Sequence, residues 1–444
     1  MNPINSLQPD NAPPTWPAED FSRVPYAVFS DPAIYQLEMQ RLFAGPTWHY
    51  LGLEVELPKP GDYQTTLVGE TSIIVIRGRD GQIRAMENSC AHRGAQLVSK
   101  PRGNHMRLTC PYHLWTYDLT GSLVGVPLEK GIKGKGGMPD SFDKSCHGLK
   151  TIRCEVFGGM VFGTYSTDVA PLQQYLGPTV CEQIMRLVGQ RKPKVLGYFR
   201  QRIPGNWKLY NENVRDPYHA PLLHLFQVTF GIQTPAMKGG IRLDADGKNV
   251  WNHSINTAQD AKDVGVLEQA YEGTGKFQPK MRMADPSMVQ VPLDLNDDIR
   301  TTILSVFPAL ILAQVDNTYT IRHLRPKGVD TVELHMTYLG FDDDDEKQTL
   351  DKLRCANMIG AAGYISMEDG EALRLVQQGI RQRASDHEVL EMGGVGEIAD
   401  TDYLAQEISI RGFWRYYHQL MGFAAPGSTD AINNPDSGPL GQAR

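Results

Sequence analysis

The sequence has no run of about 18 apolar residues, so it predicts no membrane-spanning helix. It has no block rich in lysine and arginine, and its net charge of −7 argues against nucleic acid or an anionic membrane as the main partner. The first residues lack the basic start and the apolar stretch of a signal peptide. Together these absences predict a cytoplasmic protein.

Cysteine is scarce, since six cysteines in 444 residues are too few for a disulfide framework. Cys90 and Cys110 belong to a motif described below, and the other four are scattered and are expected to be free, buried thiols. The chain also lacks a glycine-rich dinucleotide fingerprint and the four-cysteine spacing of a ferredoxin. Any electrons that this protein uses must therefore come from another protein.

The residue pattern divides the chain into an arm, two domains and a tail. Residues 1–20 are polar and proline-rich and predict a flexible arm, and apolar residues at near-helical spacing predict a helix at 32–45. Residues 46–168 contain short strand-like runs between turn residues and predict a small all-β domain. Residues 169–424 mix helices with antiparallel strands, and residues 425–444 have the composition of disorder.

Two loops of the predicted all-β domain each supply one cysteine and one histidine. Cys90 and His92 are separated by one residue and Cys110 and His113 by two, with seventeen residues between the pairs. Such ligands can bind a structural zinc, although zinc fingers usually pair like ligands with like. The mixed pairs favour a 2Fe–2S cluster of the Rieske type, in which both thiolates bind one iron and both imidazoles bind the other.

A second set of metal-ligand residue types lies in the segment NENVRDPYHAPLLHLF. His219 and His224 are five residues apart, which does not suit one face of a regular helix, but Pro221 between them can turn both imidazoles toward one ion. Two histidines and one carboxylate would bind iron(II) and leave positions open for oxygen and substrate. Asp216 is spaced to orient a liganding histidine. The alternative is two ordinary helix histidines, one buried and hydrogen-bonded.

The motifs CAHRG, CPYHLWTYDLTGSL, GNWKLYNENVRDPYHAPLLH and ISMEDGEA resemble those of one family over about residues 25–422. That family is the large (alpha) subunits of Rieske non-haem iron aromatic-ring-hydroxylating oxygenases. The resemblance implies an α+β fold, in which a Rieske 2Fe–2S all-β domain is inserted in a larger catalytic domain of the helix-grip type. The catalytic domain would have a curved antiparallel sheet covered by helices, and residues 1–45 would pack with it.

The resemblance also implies which residues bind the catalytic iron. His219 and His224 would be two ligands, and Asp369 in the segment EDGE would be the third. The other acids at 368–371 and the acidic run at 342–346 compete for this role. The residues alone would favour a helix cap for the first group and a solvated loop for the second.

Asp216 matches a carboxylate that, in this family, bridges subunits. It would link His113 of one subunit to His219 of the next, and this electron path requires an oligomer. The resemblance implies a trimer, alone or with three small beta subunits. It further implies dioxygen as co-substrate and an NAD(P)H-dependent reductase, with or without a ferredoxin, as the electron source.

Two arginines are candidate contacts for a substrate carboxylate, because a guanidinium can bind one through paired hydrogen bonds. Arg322 lies in the predicted strand TYTIRHLRP, and Arg411 lies in EISIRGFWRYY. The alternatives are a surface strand residue and a salt-bridge partner. The segments LEKGIKGKGGMPDSF, GPTWHYLGLEVELPKPGDYQTTLVGET and LSVFPALILAQVDN resemble those of oxygenases for terephthalate, anthranilate and salicylate. The resemblance therefore implies dihydroxylation of an aromatic carboxylate, with terephthalate slightly favoured.

Several other functions stay open from the sequence. A salicylate-type ring monohydroxylase, or a Rieske monooxygenase or O-demethylase, would use the same metal ligands. A pure Rieske electron carrier would have no iron site besides the cluster and would leave the catalytic region unexplained. A zinc-stabilised binding module would be colourless, whereas a Rieske protein absorbs visible light.

Overall fold

The structure is a computed structural model, and it describes residues 14–230, 232, 237–255, 284, 293–295, 297–360 and 364–424. The predicted disordered tail, residues 425–444, lies outside these residues and stays a prediction. Within the described ranges, no helix has both the length and the apolar character needed to cross a bilayer.

The first described segment packs against the last part of the chain. In chain order it contains β1 (Arg23–Pro25), α1 (Ala27–Ser30), α2 (Pro32–Glu38) and a π-helical turn (Met39–Phe43). β1 pairs antiparallel with a strand at His387–Val389. Trp16 is 1% exposed, and its ring centroid lies 5.6 Å from that of Trp414. Trp16, which lies within the predicted flexible arm, is therefore packed into the core.

The helix predicted at 32–45 is confirmed as α2 and the turn that continues it. Pro32 occupies its first position, where a missing N–H costs no helical hydrogen bond. The Asp31 side chain accepts a hydrogen bond from the Ala33 N–H at 2.7 Å and caps the helix.

The predicted all-β region forms two antiparallel sheets. Its strands are β2 (His49–Leu53), β3 (Asp62–Val68), β4 (Thr71–Arg77), β5 (Ile83–Glu87), β6 (Arg102–Asn104), β7 (Leu108–Thr109), β8 (Thr116–Tyr117), β9 (Leu123–Gly125), β10 (Thr151–Phe157) and β11 (Met160–Thr164). Seven of them form a sheet in the order β2–β11–β10–β5–β4–β3–β6, and β7, β8 and β9 form the other sheet.

The larger of these sheets is buried on both faces near its centre, which explains the apolar run Ile73–Ile76 of β4. Because successive strand residues point to opposite faces, Ile74 and Ile76 contact the core beneath the two motif loops. Ile73 and Val75 belong to the core shared with the rest of the chain. The sheet thus attaches the motif-bearing loops firmly to the larger domain.

The remaining chain combines one large sheet with helices. Its elements are α3 (Leu172–Ile184), β12 (Pro193–Ile203), α4 (Trp207–Arg215), α5 (Ala220–Leu223), α6 (Leu225–Thr229), β13 (Lys238–Leu243), β14 (Val250–Ile255), β15 (Ile299–Val306), β16 (Leu310–Val315), β17 (Thr318–Pro326), β18 (Val332–Phe341), α7 (Glu346–Ile359), α8 (Ile365–Gln382), β19 (His387–Val389) and α9 (Ile408–Met421). Seven strands form an antiparallel sheet in the order β12–β18–β17–β16–β15–β14–β13. Short helical turns lie at Glu54–Glu56, Lys144–His147 and Met185–Gly189.

This sheet is covered on both faces, so its central strand β16 has six buried residues in succession. Leu310 and Leu312 belong to the core that also contains α3 and part of the all-β domain. Ile311 and Val315 point the other way and belong to the core formed with the helices α4, α7, α8 and α9. The predicted curved sheet covered by helices is confirmed.

The predicted bent helix is broken where its candidate ligands lie. α4 ends at Arg215, α5 begins after His219 with Pro221 in its first turn, and α6 begins after His224. A proline inside a helix removes a hydrogen bond and clashes with the preceding turn, so the break at this segment follows from the sequence. Both histidines consequently lie at helix ends.

The acidic run at 342–346 is largely the solvated loop that the sequence predicts, since Asp342, Asp343, Asp345 and Glu346 are exposed, but Asp344 is an exception. The Asp344 side chain is 1% exposed and lies 2.7 Å from Lys352 Nζ and 2.9 Å from an Arg191 nitrogen. Asp345 caps α7 by accepting the Gln348 N–H at 2.7 Å. The run therefore starts a helix and neutralises buried cations, and among the described residues it forms no metal-ligand cluster.

One ion pair is fully buried where α2 meets α4. Lys208 Nζ lies 2.5 Å from Glu38 Oε1, and both side chains are 0% exposed. Glu38 also accepts hydrogen bonds from Trp207 Nε1 at 2.8 Å and from Tyr417 Oη at 2.5 Å. Burial lowers the pKa of Lys208, and the Glu38 carboxylate opposes this effect. The pair fixes the position of α4 against the first segment and α9.

We expect Glu38→Gln to lower the free energy of unfolding by about 3–5 kcal/mol, because it leaves a buried ammonium without its counter-ion. Urea denaturation followed by circular dichroism measures the loss. Glu391→Gln is the control, because it breaks the exposed ion pair between Arg23 and Glu391. The expected loss of unfolding free energy in this variant is below about 1 kcal/mol. Equal small losses in both variants would contradict the role given to the buried pair.

Candidate metal centres

The first candidate centre lies in two loops of the all-β domain. The loops carry Cys90 with His92 and Cys110 with His113, and the two imidazole centroids lie 4.6 Å apart. Cys90 and Cys110 are 3% and 2% exposed, whereas His92 is exposed and His113 is half-buried. Two inner sulfurs and two outer imidazoles are the donor set that a Rieske cluster needs.

The two loops have the same backbone hydrogen bonds, although their sequences differ. In each, the cysteine carbonyl accepts the N–H four residues later, and the cysteine N–H donates to the carbonyl five residues later. The residue four after each cysteine has a positive φ, 72° at Gly94 and 57° at Leu114. Such a turn suits glycine and strains leucine. The loops are therefore tightly folded supports for their cysteines and histidines.

Neighbouring side chains support this first centre. Tyr117 Oη lies 3.2 Å from Cys90 Sγ, so its hydroxyl can donate to a thiolate there. The Trp115 ring stacks on His92 with centroids 4.7 Å apart. Hydrogen bonds to the sulfurs and restricted solvent access both set the potential of a Rieske cluster.

The second candidate centre joins the broken helix segment to α8. Asp369 Oδ1 lies 3.5 Å from His219 Nε2 and 3.2 Å from His224 Nε2. One ligand atom from each of the three residues lies within 4.8 Å of the others. The structure thus brings the three predicted iron ligands together, as a set of two histidines and one carboxylate.

A second carboxylate lies beside each of these imidazoles. Asp216 Oδ2 is 3.3 Å from His219 Nδ1, and Glu368 Oε2 is 2.8 Å from His224 Nδ1. Such partners orient a ligating histidine and keep its Nε2 free for metal. The sequence predicts the role of Asp216. For Glu368 it offers only a rival ligand or a helix cap, because neighbouring residues of α8 differ by roughly a third of a turn and the sequence does not show the helix rotation.

Asn213 was missed by the sequence analysis. Its Nδ2 donates to Asp369 Oδ1 at 3.1 Å and lies 3.3 Å from His219 Nε2. It is on α4, three residues before Asp216, and this one-turn spacing was the signal that could have identified it. Asn213 holds the Asp369 carboxylate in place from the side of α4.

The electrostatics of this centre favour a cation. Burial alone would lower the pKa of His219, but Asp216 and Asp369 outweigh it and raise that pKa to about 10. Burial would raise the pKa of Asp369, but the two histidines hold it well below its usual range. A divalent metal ion would supply the positive charge that these groups require, so the donor set fits mononuclear iron.

A cavity of about 690 Å³, including its open mouth, lies between the large sheet and the helices. Its walls contain His219, His224 and Asp369 together with apolar side chains such as Ile303. Arg322 on β17 also lines it and is 6% exposed. The predicted arginine on the strand is therefore placed in the same cavity as the iron-ligand candidates.

Arg322 has two polar contacts in the cavity wall. Its Nη1 donates to Tyr210 Oη at 3.2 Å, and its Nε donates to Thr320 Oγ1 at 3.4 Å. Burial alone would lower the pKa of Arg322, but Tyr210 and Asp369 reverse this and raise it. The guanidinium is therefore a permanent positive charge in a largely apolar cavity.

Arg411 is placed elsewhere. It is 2% exposed on α9, and its Nη1 and Nη2 donate to the carbonyls of Gly396 at 2.9 Å and Gly394 at 3.1 Å. It is not among the residues that line the cavity. Because these loop carbonyls occupy its guanidinium, the structure gives Arg411 a place in the fold and not in the predicted substrate site.

We expect Asp369→Ala to lower the iron content from about three to about two per chain, because it removes a ligand of the mononuclear iron and leaves the cluster in place. Metal analysis by plasma mass spectrometry measures this, and the visible spectrum of the cluster should not change. Glu371→Ala is the matched control on the same helix, since Glu371 is exposed and paired with Arg374 at 2.6 Å. Iron loss in both variants, or in neither, would contradict the assignment.

Two family models match the chain. Residues 47–135 match a Rieske (2Fe–2S) domain, and residues 188–422 match the catalytic domain of ring-hydroxylating alpha subunits. Among solved structures, naphthalene 1,2-dioxygenase from Rhodococcus sp., bound to indole, superposes with a TM-score of 0.72 at 26% identity, covering 90% of this chain and 94% of that chain. These matches confirm the predicted fold and the two predicted iron cofactors, and they favour the cluster over zinc.

Curated relatives extend over nearly the whole chain. The terephthalate 1,2-dioxygenase terminal oxygenase component subunit alpha 2 of Comamonas sp. is 43% identical, covering 92% of this chain and 97% of the relative. The large oxygenase component of salicylate 5-hydroxylase from Ralstonia sp. is 40% identical over 92% and 96%. The anthranilate 1,2-dioxygenase large subunit of Burkholderia cepacia is 42% identical over 92% and 95%. This chain therefore belongs to the alpha subunits of the Rieske non-haem iron ring-hydroxylating oxygenases.

Proposed function

We propose that this alpha subunit hydroxylates an aromatic carboxylate, using dioxygen and electrons from a separate NAD(P)H-dependent reductase, with or without a ferredoxin. The observation that carries the proposal is the buried Arg322 guanidinium in the cavity that also contains His219, His224 and Asp369. A permanent cation in an otherwise mostly apolar cavity favours an anionic, ring-containing ligand. The names of the three relatives above agree, since each contains an aromatic carboxylic acid.

In this proposal, two sets of residues hold the cofactors. When bound, the cluster supplies single electrons and the mononuclear iron activates dioxygen. Cys90, His92, Cys110 and His113 would hold the cluster, and the two histidines with Asp369 would hold the iron. Asp216 and Glu368 would each accept a hydrogen bond from the Nδ1–H of one imidazole, leaving both Nε2 atoms unprotonated for the metal.

The substrate would be held by its carboxylate and by its ring. Arg322 would donate to the carboxylate oxygens. Tyr210 is fully buried and does not line the cavity, and its oxygen accepts from Arg322 Nη1, so it would hold the guanidinium in place. Burial raises the pKa of Tyr210 to about 12 even though the Arg322 charge lowers it, so the phenol keeps its proton at neutral pH. Ile303 and Val315 in the same wall would contact the ring.

Terephthalate is the preferred candidate among the three acids, since the corresponding relative has the highest identity of the three, 43%. The preferred reaction is dihydroxylation of the ring. Ring monohydroxylation is the second candidate, because the salicylate 5-hydroxylase relative is 40% identical and aligns over 414 residues. The two reactions would use the same ligand set.

The function is tested by a single turnover. The purified protein is reduced chemically and exposed to ¹⁸O₂ with terephthalate, anthranilate, salicylate or benzoate, and the products are identified by mass spectrometry. A cis-dihydrodiol carrying two ¹⁸O atoms supports dihydroxylation of an aromatic carboxylate. If none of the four acids were converted, while a neutral aromatic or a methoxy compound added in their place was, the proposal would be contradicted.

We also propose that electrons pass between subunits through Asp216, in a trimer with or without small beta subunits. The Asp216 side chain is 18% exposed, and His113 is only half-buried. Both groups are thus accessible to another subunit. Asp216 would join His113 of one subunit to His219 of the next through hydrogen bonds.

Arg322→Gln should weaken binding of these acids by roughly 10- to 150-fold, because it removes a charge-assisted hydrogen bond worth about 1.5–3 kcal/mol. Isothermal titration calorimetry on the purified oxygenase measures the change in Kd. Arg411→Gln is the control, and it should lower the unfolding temperature and leave each Kd within about twofold. An unchanged Kd in Arg322→Gln would remove the basis for the carboxylate site.

Asp216→Asn should retain its iron but oxidise its reduced cluster about 10-fold or more slowly in a single turnover, as expected for loss of a partner that orients a ligand and links two centres. Stopped-flow absorbance of the cluster measures this rate. Asp343→Asn, which changes an exposed carboxylate paired with Arg191, should oxidise at the normal rate. A normal rate in both variants would exclude Asp216 from the electron path.

A further inference from the structure

We propose that Asn252, Ser254 and Thr301 form a second polar subsite, which binds a hydrogen-bonding substituent across the ring from the substrate carboxylate. This inference rests on the proposed function, since it takes the carboxylate to be bound at Arg322. It assigns the substrate to the benzoates that carry a hydroxyl, amino or carboxylate group at the para position.

The three side chains are buried and lack partners. Asn252, Ser254 and Thr301 are 5%, 2% and 6% exposed, and all three line the cavity. Asn252 Oδ1, Ser254 Oγ and Thr301 Oγ1 have no hydrogen-bond partner within the described part of the chain. A buried polar atom left unpaired costs about 1–3 kcal/mol. Three of them on one cavity wall indicate a site that a polar group completes.

The strand register places these side chains together. Ser254 is directly opposite Thr301, and Asn252 is opposite Ile303, so the three polar residues share one face of β14 and β15. The Asn252 Nδ2 donates to the Val214 carbonyl at 3.4 Å, which fixes the orientation of the amide. Its Oδ1 is therefore the unpartnered atom, as an acceptor beside two hydroxyls.

The same register places an apolar strip between the subsite and Arg322. On β16, Val315 is opposite Thr301 and Ala313 is opposite Ile303. On β17, Thr320 is opposite Ala313, and Arg322 Nε donates a hydrogen bond to Thr320 Oγ1. Across this face the wall thus changes from polar on β14 and β15 to apolar on β16 and to cationic on β17.

The spacing of these strands fits a ring with groups at opposite ends. Neighbouring strands are about 4.8 Å apart, so β15 and β14 lie roughly 10 and 14 Å from β17. A benzene ring with two para groups spans roughly 6–7 Å between their polar atoms, and a hydrogen bond at each end brings the total to about 12–13 Å. An ortho group would remain beside the carboxylate, near Arg322. The subsite therefore selects a group on the far side of the ring.

Calorimetric Kd values on the purified oxygenase test this inference, with terephthalate, 4-hydroxybenzoate, 4-aminobenzoate, salicylate and benzoate as probes. Thr301→Val and Ser254→Ala should each weaken binding of at least one para-substituted acid tenfold or more. Binding of benzoate and salicylate should change less than twofold. The para acid that loses most affinity identifies the substituent.

The chain offers matched controls for both substitutions. Thr318→Val and Ser305→Ala also remove a buried hydroxyl without a partner among the described residues, from the same sheet but outside the cavity lining. They should leave every Kd within twofold. Equal losses for benzoate and for the para acids, or equal effects in the controls, would overturn the subsite. If none of the acids bound the unmodified oxygenase, the proposed function itself would fail.

Discussion

One oxygen of the Asp369 carboxylate lies close to the imidazoles of both His219 and His224. This contact requires the helices on the two sides of the cavity to keep fixed positions. Asp369 comes from α8, whereas both histidines come from the segment that follows α4. The Glu38–Lys208 pair ties α4 to the first segment, and Asn213 on the same helix reaches Asp369. A fully buried pair contributes little net stability but is costly to break, so its effect is to specify where α4 lies.

The charges around this contact explain why so many acids are gathered there. Asp216, Glu368 and Asp369 lie next to only two imidazoles, and none of the three carboxylates is fully exposed. In a medium of low dielectric, such negative charge is unfavourable unless protons or a metal neutralise it. Without a metal, a proton on His219 neutralises part of this negative charge, which is why its pKa is raised. A bound iron would neutralise the same charge in place of that proton, so metal binding and folding would stabilise each other.

The parts of the fold that depend on residues close together in the sequence could be predicted from it. The paired cysteine–histidine loops and the helix break that precedes Pro221 follow from local motifs and from proline chemistry. Asp369, in contrast, lies 150 residues after His219, and it was identified only through a family resemblance. The role of Glu368 depends on the rotation of α8, and the place of Arg411 depends on which loop carbonyls the fold brings to it. Such facts follow from tertiary packing, which a single sequence does not display.

The cavity combines these constraints in one space. Its sheet side carries Arg322 and its helix side carries the candidate metal ligands, so under the proposed function a ring held by its carboxylate would lie between the two. Asp369 raises the pKa of Arg322, so the field of this one carboxylate reaches from the candidate iron site to the proposed substrate site. A substrate carboxylate bound at Arg322 would partly cancel the attraction of Arg322 for Asp369. Asp369 would then be a more basic ligand, and binding at the proposed substrate site would change the metal site without any movement of the backbone.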